Sequence, residues 1–281
     1  MTLCIAHRGD PLTHRENTLP SFQSAVAKGA DVIELDISRS SDGHVVLLHD
    51  DTLQRLWKVN ARIEDLTLAE IREQTQGFYE IPRFDEVLDY IHVPIMADLK
   101  SVAPVGPLVD LLDKRDAWNR VFIMGELEAV RLVRRVQPKA RIGLTWTDMY
   151  HPSEELLREL EPEYLCLMWR FLQPAFIQAC AQAERDEHHT LNETLNRLWP
   201  IRVEQPELRH HFASDHLFHG ARSVHTFANR GINLCVWTVD EVYDMNAMLR
   251  CGVHGIISNR IDRLVSLVKS ACPERPNGTS L

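Results

Sequence analysis

The chain has 281 residues, of which 44% are hydrophobic, and carries a formal net charge of −9 at pH 7. This length allows one or two domains with a substantial core, although α/β barrels commonly use about 250 residues as one domain. The negative charge argues against broad electrostatic binding to nucleic acid or to an anionic membrane, so we expect no nucleic-acid partner.

The N-terminus and the cysteines favour a cytoplasmic location. Residues 1–10, MTLCIAHRGD, contain no basic region followed by an apolar run, so no secretory signal is predicted. No apolar stretch approaches the length of a transmembrane segment. The six cysteines are scattered without a C-x-x-C pair, which is typical of buried free thiols in a reducing compartment.

Short β-rich runs alternate with amphipathic helical stretches along the chain. The predicted strands are residues 2–7, 30–38, 44–50, 93–100, 120–126, 140–146, 163–169, 231–239 and 253–259. The predicted helices are residues 20–28, 67–74, 84–91, 105–116, 126–138, 153–162, 175–185, 241–252 and 261–271. About eight strand–helix units favour a closed (β/α)8 TIM-type barrel over an open doubly wound sheet. We expect a single α/β domain over residues 1–271 and a frayed tail over 272–281.

One segment interrupts this alternation. Residues 185–222 are polar and contain many of the 14 histidines. We interpret the segment as an insertion at one face that packs on its own barrel, with a lid or a homo-oligomer interface as alternatives. His211, His216 and His219 within it match no strong zinc motif, so a second metal site is not favoured.

Carboxylates recur on one face of two predicted strands. Residues two apart in a strand share a face, so Glu34 and Asp36 point one way while their aliphatic neighbours point the other. The run MADLK places Asp98 and Lys100 on one face in the same manner. Like charges inside a barrel are costly unless a proton or a cation neutralises them, and hard divalent ions prefer carboxylate oxygens. A metal site is one interpretation, and internal salt bridges such as Lys100 to Asp36 are the alternative.

Two histidines and an arginine follow predicted strands. His7 ends the first strand and His49 ends the run VVLLH. Strand C-termini meet at the catalytic face of a barrel, and two imidazoles suit a displacement at phosphorus. One ring takes the proton of the attacking group and the other protonates the leaving alkoxide. Arg8 adds a permanent cation that can bind two phosphate oxygens.

These residues lie in motifs that resemble a known family. From residue 5 to about residue 260 the chain contains, in order, HRG, ENT, GADVIELDISRSSDGHVVLLHDDTLQR, IPRFDEVL, ADLK, VWTVD and GVHGIISN. These motifs look like those of the glycerophosphodiester phosphodiesterases. The resemblance implies a (β/α)8 barrel that hydrolyses small glycerophosphodiesters to an alcohol and glycerol 3-phosphate with a divalent cation.

The resemblance also implies a role for each candidate residue. These roles are acid/base catalysis for His7 and His49, metal binding for Glu34, Asp36 and Asp98, phosphate binding for Arg8 and Lys100, and lining the glycerol side of the pocket for Trp237. An all-oxygen ligand set favours Mg2+ or Ca2+ and leaves Mn2+ open.

The chain departs from the family pattern at several positions. Asp98 stands where the family usually has Glu, so the third expected ligand is one methylene shorter. Arg15 replaces the usual Pro before ENT, and His254 and Asn259 replace aspartates in the last motif. We expect altered substrate fit rather than lost catalysis, because both candidate catalytic histidines remain.

Two alternative functions stay open. A related barrel enzyme could cleave lysophospholipid or sphingolipid headgroups in a phospholipase D-like manner if residues 185–222 form a wide apolar mouth. A barrel could also bind phosphodiesters and turn over weakly, because Asp98 and Asn259 weaken the site.

Overall fold

Nine strands form one sheet in the computed structural model, which describes residues 1–176, 178 and 217–271. The strands are β1 (Leu3–His7), β2 (Val32–Arg39), β3 (Val45–Leu47), β4 (Ile95–Leu99), β5 (Val121–Gly125), β6 (Arg141–Trp146), β7 (Tyr164–Met168), β8 (Asn233–Trp237) and β9 (Gly255–Ser258). Eight of them are parallel neighbours in the order β1, β9, β8, β7, β6, β5, β4, β2, and β1 pairs with β2 to close the ring. The predicted (β/α)8 barrel is confirmed.

Helices surround the barrel and connect its strands. Over the described residues they are α1 (Leu19–Ala27), α2 (Gln54–Trp57), α3 (Leu68–Thr75), α4 (Phe84–Tyr90), α5 (Val105–Arg115), α6 (Leu127–Val136), α7 (Glu154–Leu160), α8 (Gly220–Ala228), α9 (Val242–Cys251) and α10 (Ile261–Ala271). The described residues also contain two single 3-10 turns, Ile63–Asp65 and Trp169–Leu172. None of the helices in this part of the chain is long and apolar enough to cross a membrane.

Alternation along the strands separates an outer apolar layer from the barrel interior. On β2, the outward side chains Ile33, Leu35 and Ile37 join the large buried cluster that includes helix residues. Inside the barrel a smaller apolar cluster includes Val32 and Met96. Each fully buried aliphatic side chain contributes about 1.5–3 kcal/mol, so this alternation strongly specifies which face points inward. The carboxylates lie C-terminal to the inner cluster, toward the mouth where the barrel strands end.

Strand β3 lies outside the barrel and differs from the expected arrangement. It pairs antiparallel with β2, with Val45 opposite Arg39 and Leu47 opposite Ile37. The tight return is permitted by Gly43, whose φ of 88° is in the left-handed region. His49 therefore reaches the mouth on a returning antiparallel segment, whereas the sequence argument placed it at the end of a barrel strand.

Several expectations fall on parts of the chain that are not described. The tail at 272–281 and most of both the helix at 175–185 and the insertion at 185–222 lie outside the described residues, so the domain boundaries stay a prediction. The described end of the insertion contacts the barrel: Leu217 forms a β-bridge with Tyr150, and the next residue, Phe218, is fully buried.

Candidate active site

Polar side chains from three neighbouring strands meet at the C-terminal mouth of the barrel. The register places His7 on β1 beside Glu34 on β2. It also places Asp36 on β2 directly beside Asp98 on β4. Because these strands are parallel neighbours, their inward side chains share one small volume.

Three carboxylates converge in this volume. Glu34, Asp36 and Asp98 each offer an oxygen within 4.8 Å of the others. Glu34 and Asp36 are 3% and 0% exposed. Although Asp98 is one methylene shorter than the glutamate usual in the family, its carboxylate reaches the group.

The two oxygens of Asp36 have different environments. Oδ2 accepts a hydrogen bond from Asn17 Nδ2 at 2.7 Å, and Asn17 Oδ1 accepts from the Asp36 backbone N–H at 3.1 Å. Oδ1 is buried and accepts no aligned hydrogen bond from the residues that the structure describes, although Lys100 Nζ lies 3.0 Å away. A positive charge beside this oxygen is therefore favourable: Lys100 supplies one, and a carboxylate oxygen is also the ligand type that hard divalent ions prefer.

Two side-chain cations balance part of the negative charge. Arg8 Nε lies 3.0 Å from Asp36 Oδ2, without hydrogen-bond alignment. Lys100 Nζ donates to Asp98 Oδ2 and lies close to Asp36. The internal salt bridges considered as the alternative are thus present. Three carboxyl groups face only two side-chain cations, so the salt bridges do not exclude a bound cation.

Burial and neighbouring charges shift these carboxyls in opposite directions. Burial, together with the charges of Asp36 and Asp98, raises the pKa of Glu34 well above its usual value. Burial also acts to raise the pKa of Asp36, but Lys100 and Arg8 outweigh it, so the pKa of Asp36 lies well below its usual range. The carboxyl of Asp36 is therefore ionised at neutral pH. A nearby positive charge would stabilise the ionised form of Glu34.

A hydrogen-bond chain fixes the ring of His7. His7 Nδ1 lies 2.7 Å from Asn259 Oδ1, and Asn259 Nδ2 donates to Asp240 Oδ2 at 2.8 Å. Since an ionised carboxylate only accepts, Asp240 turns the amide oxygen of Asn259 toward the ring. His7 therefore donates from Nδ1 and keeps Nε2 as an acceptor, 3.9 Å from Glu34 Oε2. Burial and then Arg8 lower the pKa of His7, which favours the neutral ring.

The ring of His49 has a different partner. Its Nδ1 lies 2.8 Å from Asp50 Oδ1, and Arg55 Nε donates to Asp50 Oδ2 at 2.6 Å. Arg55 also donates to Glu16, which in turn accepts from Arg8. These contacts tie the loop carrying His49 to the loop carrying Arg8, and they leave Nε2 of His49 free of the Asp50 contact.

The loop after β1 has an unusual backbone. Arg8 and Asn17 both have a φ of 56°, which is uncommon for residues with a Cβ atom and costs about 1–3 kcal/mol. Contacts hold them there, because the Arg8 N–H donates to Glu34 Oε2 at 3.0 Å and the Asn17 N–H donates to the Arg8 carbonyl at 3.1 Å. This backbone conformation brings the Arg8 guanidinium and the Asn17 amide to Asp36.

Gly125 is a site residue that the sequence analysis missed. Its φ is 122°, and a Cβ atom would lie 2.2 Å from the Leu99 carbonyl oxygen and 2.5 Å from Asp98 Oδ1. Only glycine therefore fits where β5 ends beside Asp98. A glycine closing the strand run RVFIMGE was the available signal. Asp240 and Arg55 lay inside the quoted motifs, but no role was assigned to them.

The remaining predicted positions lie at opposite ends of the barrel. Trp237 ends β8, packs on the inner apolar cluster and donates from Nε1 to the Cys166 carbonyl at 3.2 Å. This places its ring at the mouth, and a role beside the glycerol group stays a prediction. His254 precedes β9 at the other end, where its Nδ1 accepts from the Leu234 N–H at 3.1 Å. An altered substrate fit through His254 is therefore not supported by its position.

Comparisons with known proteins point to one family. A family model described as "Glycerophosphoryl diester phosphodiesterase family" matches residues 7–263. A glycerophosphodiester phosphodiesterase of Caldanaerobacter subterraneus subsp. tengcongensis is 27% identical over 95% of this chain and 98% of that protein.

Solved structures share the fold at low identity. A glycerophosphodiester phosphodiesterase from Thermotoga maritima has a TM-score of 0.69 and 20% identity, covering 95% of this chain and 99% of its own. An Oleispira antarctica phosphodiesterase in complex with the product sn-glycerol-3-phosphate has a TM-score of 0.67 and 18% identity, covering 94% of this chain and 96% of its own. Because the family match spans most of the chain, this protein belongs to the glycerophosphoryl diester phosphodiesterase family.

Proposed function

We propose that this chain hydrolyses small glycerophosphodiesters to an alcohol and glycerol 3-phosphate. Family membership supports the reaction class. The observation that carries the proposal is the buried carboxylate cluster, in which an oxygen of Asp36 has no hydrogen bond, with His7 beside it. The related Oleispira phosphodiesterase holds glycerol 3-phosphate, which is the product expected here.

We propose that Glu34, Asp36 and Asp98 hold one divalent metal ion. The convergence of their oxygens within 4.8 Å and the buried Asp36 oxygen support this assignment. The all-carboxylate donor set favours Mg2+ or Ca2+ over softer ions. When bound, such an ion would neutralise the phosphate and the charge that develops on the leaving oxygen.

Arg8 and Lys100 are proposed to bind the phosphate group. Both reach the carboxylate cluster, since Arg8 Nε and Lys100 Nζ each lie 3.0 Å from an Asp36 oxygen. The planar guanidinium of Arg8 can donate to two phosphate oxygens, and Lys100 offers a compact charge. Trp237, at the end of β8, would then contact the glycerol carbons with its ring.

His7 and His49 are proposed as the proton-transfer pair. Nε2 of His7 is an acceptor because Nδ1 donates to Asn259, so His7 takes the proton of the attacking hydroxyl. His49 faces the carboxylate of Asp50, which can balance a protonated ring, so its Nε2 gives a proton to the leaving alkoxide. The attacking group is a water molecule or a hydroxyl of the substrate itself, and the same roles serve either route.

The test is release of glycerol 3-phosphate from glycerophosphocholine and glycerophosphoethanolamine with Mg2+, with Ca2+ and with EDTA. We expect turnover to require a divalent ion, and His7→Ala and His49→Ala each to lower kcat by about 100- to 10,000-fold. His44→Ala is the matched control, because His44 lies in the β2–β3 turn, half-exposed and away from the cluster. Full activity in EDTA would contradict the metal assignment, and full activity of His7→Ala would contradict its role.

Headgroup cleavage of lysophospholipids or sphingolipids is a second candidate function. It is favoured by two exposed apolar side chains, Leu12 in the loop after β1 at 61% exposure and Phe78 in the loop before α4 at 69% exposure. Turnover of lysophosphatidylcholine without turnover of glycerophosphocholine would support it. The weakly active binding barrel loses support, because Asp98 stays in the cluster and Asn259 holds His7.

We propose a cytoplasmic location for this activity. The thiols of Cys166, Cys235 and Cys251 form no disulfide among the described residues, which is typical of a reducing compartment. A homo-oligomer stays a prediction.

A further inference from the structure

Arg15 differs from the other cations at the mouth of the barrel. Arg8, Arg55 and Lys100 each form ion pairs with carboxylates of the site. Arg15 lies in the same loop as Arg8, is partly buried, and has no carboxylate partner among the described residues. A partly buried cation without a carboxylate is costly unless something else compensates it.

Two aromatic rings surround the guanidinium of Arg15. Its Cζ atom lies 4.9 Å from the ring centroid of Trp57 and 5.3 Å from that of Tyr79. Aromatic faces attract a cation through the ring quadrupole, but they do not neutralise its charge or occupy its N–H donors. The side chain is thus held in place while its charge and donors stay available.

The position of Arg15 relates it to the leaving group. Its neighbour Glu16 accepts from both Arg8 and Arg55. Arg55 holds Asp50, the partner of His49, and Trp57 lies two residues after Arg55 on α2. Arg15 therefore packs against α2, the helix that follows His49, which is proposed to protonate the departing alcohol.

We infer that Arg15 determines which headgroup this enzyme accepts. Its guanidinium binds an anionic group, such as a carboxylate, on the leaving alcohol, and it fills the space between Trp57 and Tyr79. A pair of aromatic faces is the kind of site that binds a quaternary ammonium group such as choline. Here the guanidinium of Arg15 occupies that position. The inference rests on the proposed function and narrows its substrate class to diesters with an anionic headgroup, at the expense of choline.

Three substrates test this selection. Glycerophosphoserine and glycerophosphoethanolamine differ by one carboxylate, and glycerophosphoethanolamine and glycerophosphocholine differ by three methyl groups on nitrogen. We expect kcat/KM of the wild-type enzyme to be about tenfold higher for the serine diester than for the ethanolamine diester, since a charge-assisted hydrogen bond has this magnitude. The choline diester should be the poorest of the three.

Variants of Arg15 separate selection from a structural role. In Arg15→Gln we expect the serine-to-ethanolamine ratio to fall about tenfold, mainly through KM, and the choline-to-ethanolamine ratio to rise. Arg15→Lys keeps the charge without the planar fork, so it should retain part of the serine preference even if Arg15→Gln folds poorly. Arg230→Gln is the matched control, because Arg230 also lies over a ring, Phe227, but belongs to the opposite end of the barrel.

The outcomes are distinguishable. Equal loss of kcat/KM for all three substrates in Arg15→Gln would show that Arg15 only supports the loop, and would overturn the inference. A wild-type enzyme that turns over all three diesters without preferring serine would overturn it as well, while leaving the proposed function intact. Absence of turnover on all three with Mg2+ and with Ca2+ would overturn both.

Discussion

At the level of single residues, the two candidate catalytic histidines differ in the group that contacts Nδ1 of each ring. Nδ1 of His7 faces the neutral amide of Asn259, whereas Nδ1 of His49 faces the carboxylate of Asp50. Burial and Arg8 lower the pKa of His7, so that ring favours the unprotonated form. The neutral ring of His7 is suited to accept a proton, and the Asp50 carboxylate can accept a hydrogen bond from the ring of His49.

Asn259 is expected to position His7 rather than to touch substrate. Asn259→Ala should lower kcat about 10- to 100-fold with little change in KM, because the ring loses the acceptor for its Nδ1 proton. Asn259→Asp places a charge there, which raises the pKa of His7, so the acidic limb of the kcat profile should move to higher pH. Asn246→Ala, in the exposed face of α9, is the control. Wild-type kcat and an unshifted pH profile in both Asn259 variants would contradict this role.

Gly125 is expected to be essential for the geometry of Asp98. In Gly125→Ala the new methyl group meets the Leu99 carbonyl and the Asp98 carboxylate, at a φ of 122° that alanine rarely adopts. We expect a loss of about 2–4 kcal/mol in the free energy of unfolding and a weaker metal response of activity. Gly106→Ala, where a Cβ atom meets nothing within 4 Å, is the control for urea unfolding and activity assays. A Gly125→Ala protein as stable as the control variant would refute the argument.

At the level of secondary-structure elements, the spacing of residues along the chain predicts the barrel strands. Other parts of the site form only because strands distant in sequence pair when the barrel closes. The spacing of Glu34 and Asp36 by two residues places both inside the barrel, so the carboxylates could be predicted. The pair of His7 and Asn259 could not, because it joins residues 252 apart through the meeting of β1 and β9. The direction of β3 also escaped prediction, since a short apolar run has the same pattern in a barrel strand and in a hairpin.

The loop between β1 and α1 is anchored by Asp10, which is 2% exposed. Its Oδ2 accepts from Ser24 Oγ at 2.6 Å and from Lys28 Nζ at 2.5 Å. Burial acts to raise the pKa of Asp10, but hydrogen bonds from Lys28, Ser24 and Thr13 outweigh it, so the pKa is lowered on folding. A lowered folded-state pKa contributes stability above the unfolded-state pKa of about 3.9 and loses it as pH falls through the folded value.

Asp10→Asn should therefore destabilise the protein in a pH-dependent way. At pH 7 we expect a loss of about 1–3 kcal/mol in the free energy of unfolding, because a charged acceptor is removed from a buried position. The difference from wild type should shrink as pH falls below about 4, since wild-type Asp10 then takes up a proton as well. Urea unfolding at pH 7, 5 and 3 measures this, with the 78% exposed Asp51 changed to Asn as the control. An equal loss in the free energy of unfolding at all three pH values would contradict the role of the Asp10 charge and would point to altered packing instead.

At the level of the whole molecule, the barrel brings several carboxylates together at its mouth. Their repulsion opposes folding, but it favours the binding of a cation. Glu34, Asp36 and Asp98 crowd one end of an otherwise apolar interior, with Arg8 and Lys100 as partial compensation. Such arrangements trade stability for function, because a bound cation relieves the repulsion that Arg8 and Lys100 leave. Stability and metal binding should therefore be linked through the same carboxylates.

Glu34→Gln tests this link. Glutamine removes the charge but keeps an oxygen that can accept the hydrogen bond that the Arg8 N–H now donates to Glu34 Oε2. In EDTA we expect the variant to melt at or above the wild-type temperature, since one repelling charge is gone. Mg2+ or Ca2+ at about 100 times its Kd should stabilise the wild type by about 2.7 kcal/mol and the variant far less. The exposed Glu128 changed to Gln should keep the full metal shift. If the ion stabilised Glu34→Gln as much as the wild type, the metal would bind elsewhere, and the charge crowding at the barrel mouth would need another explanation.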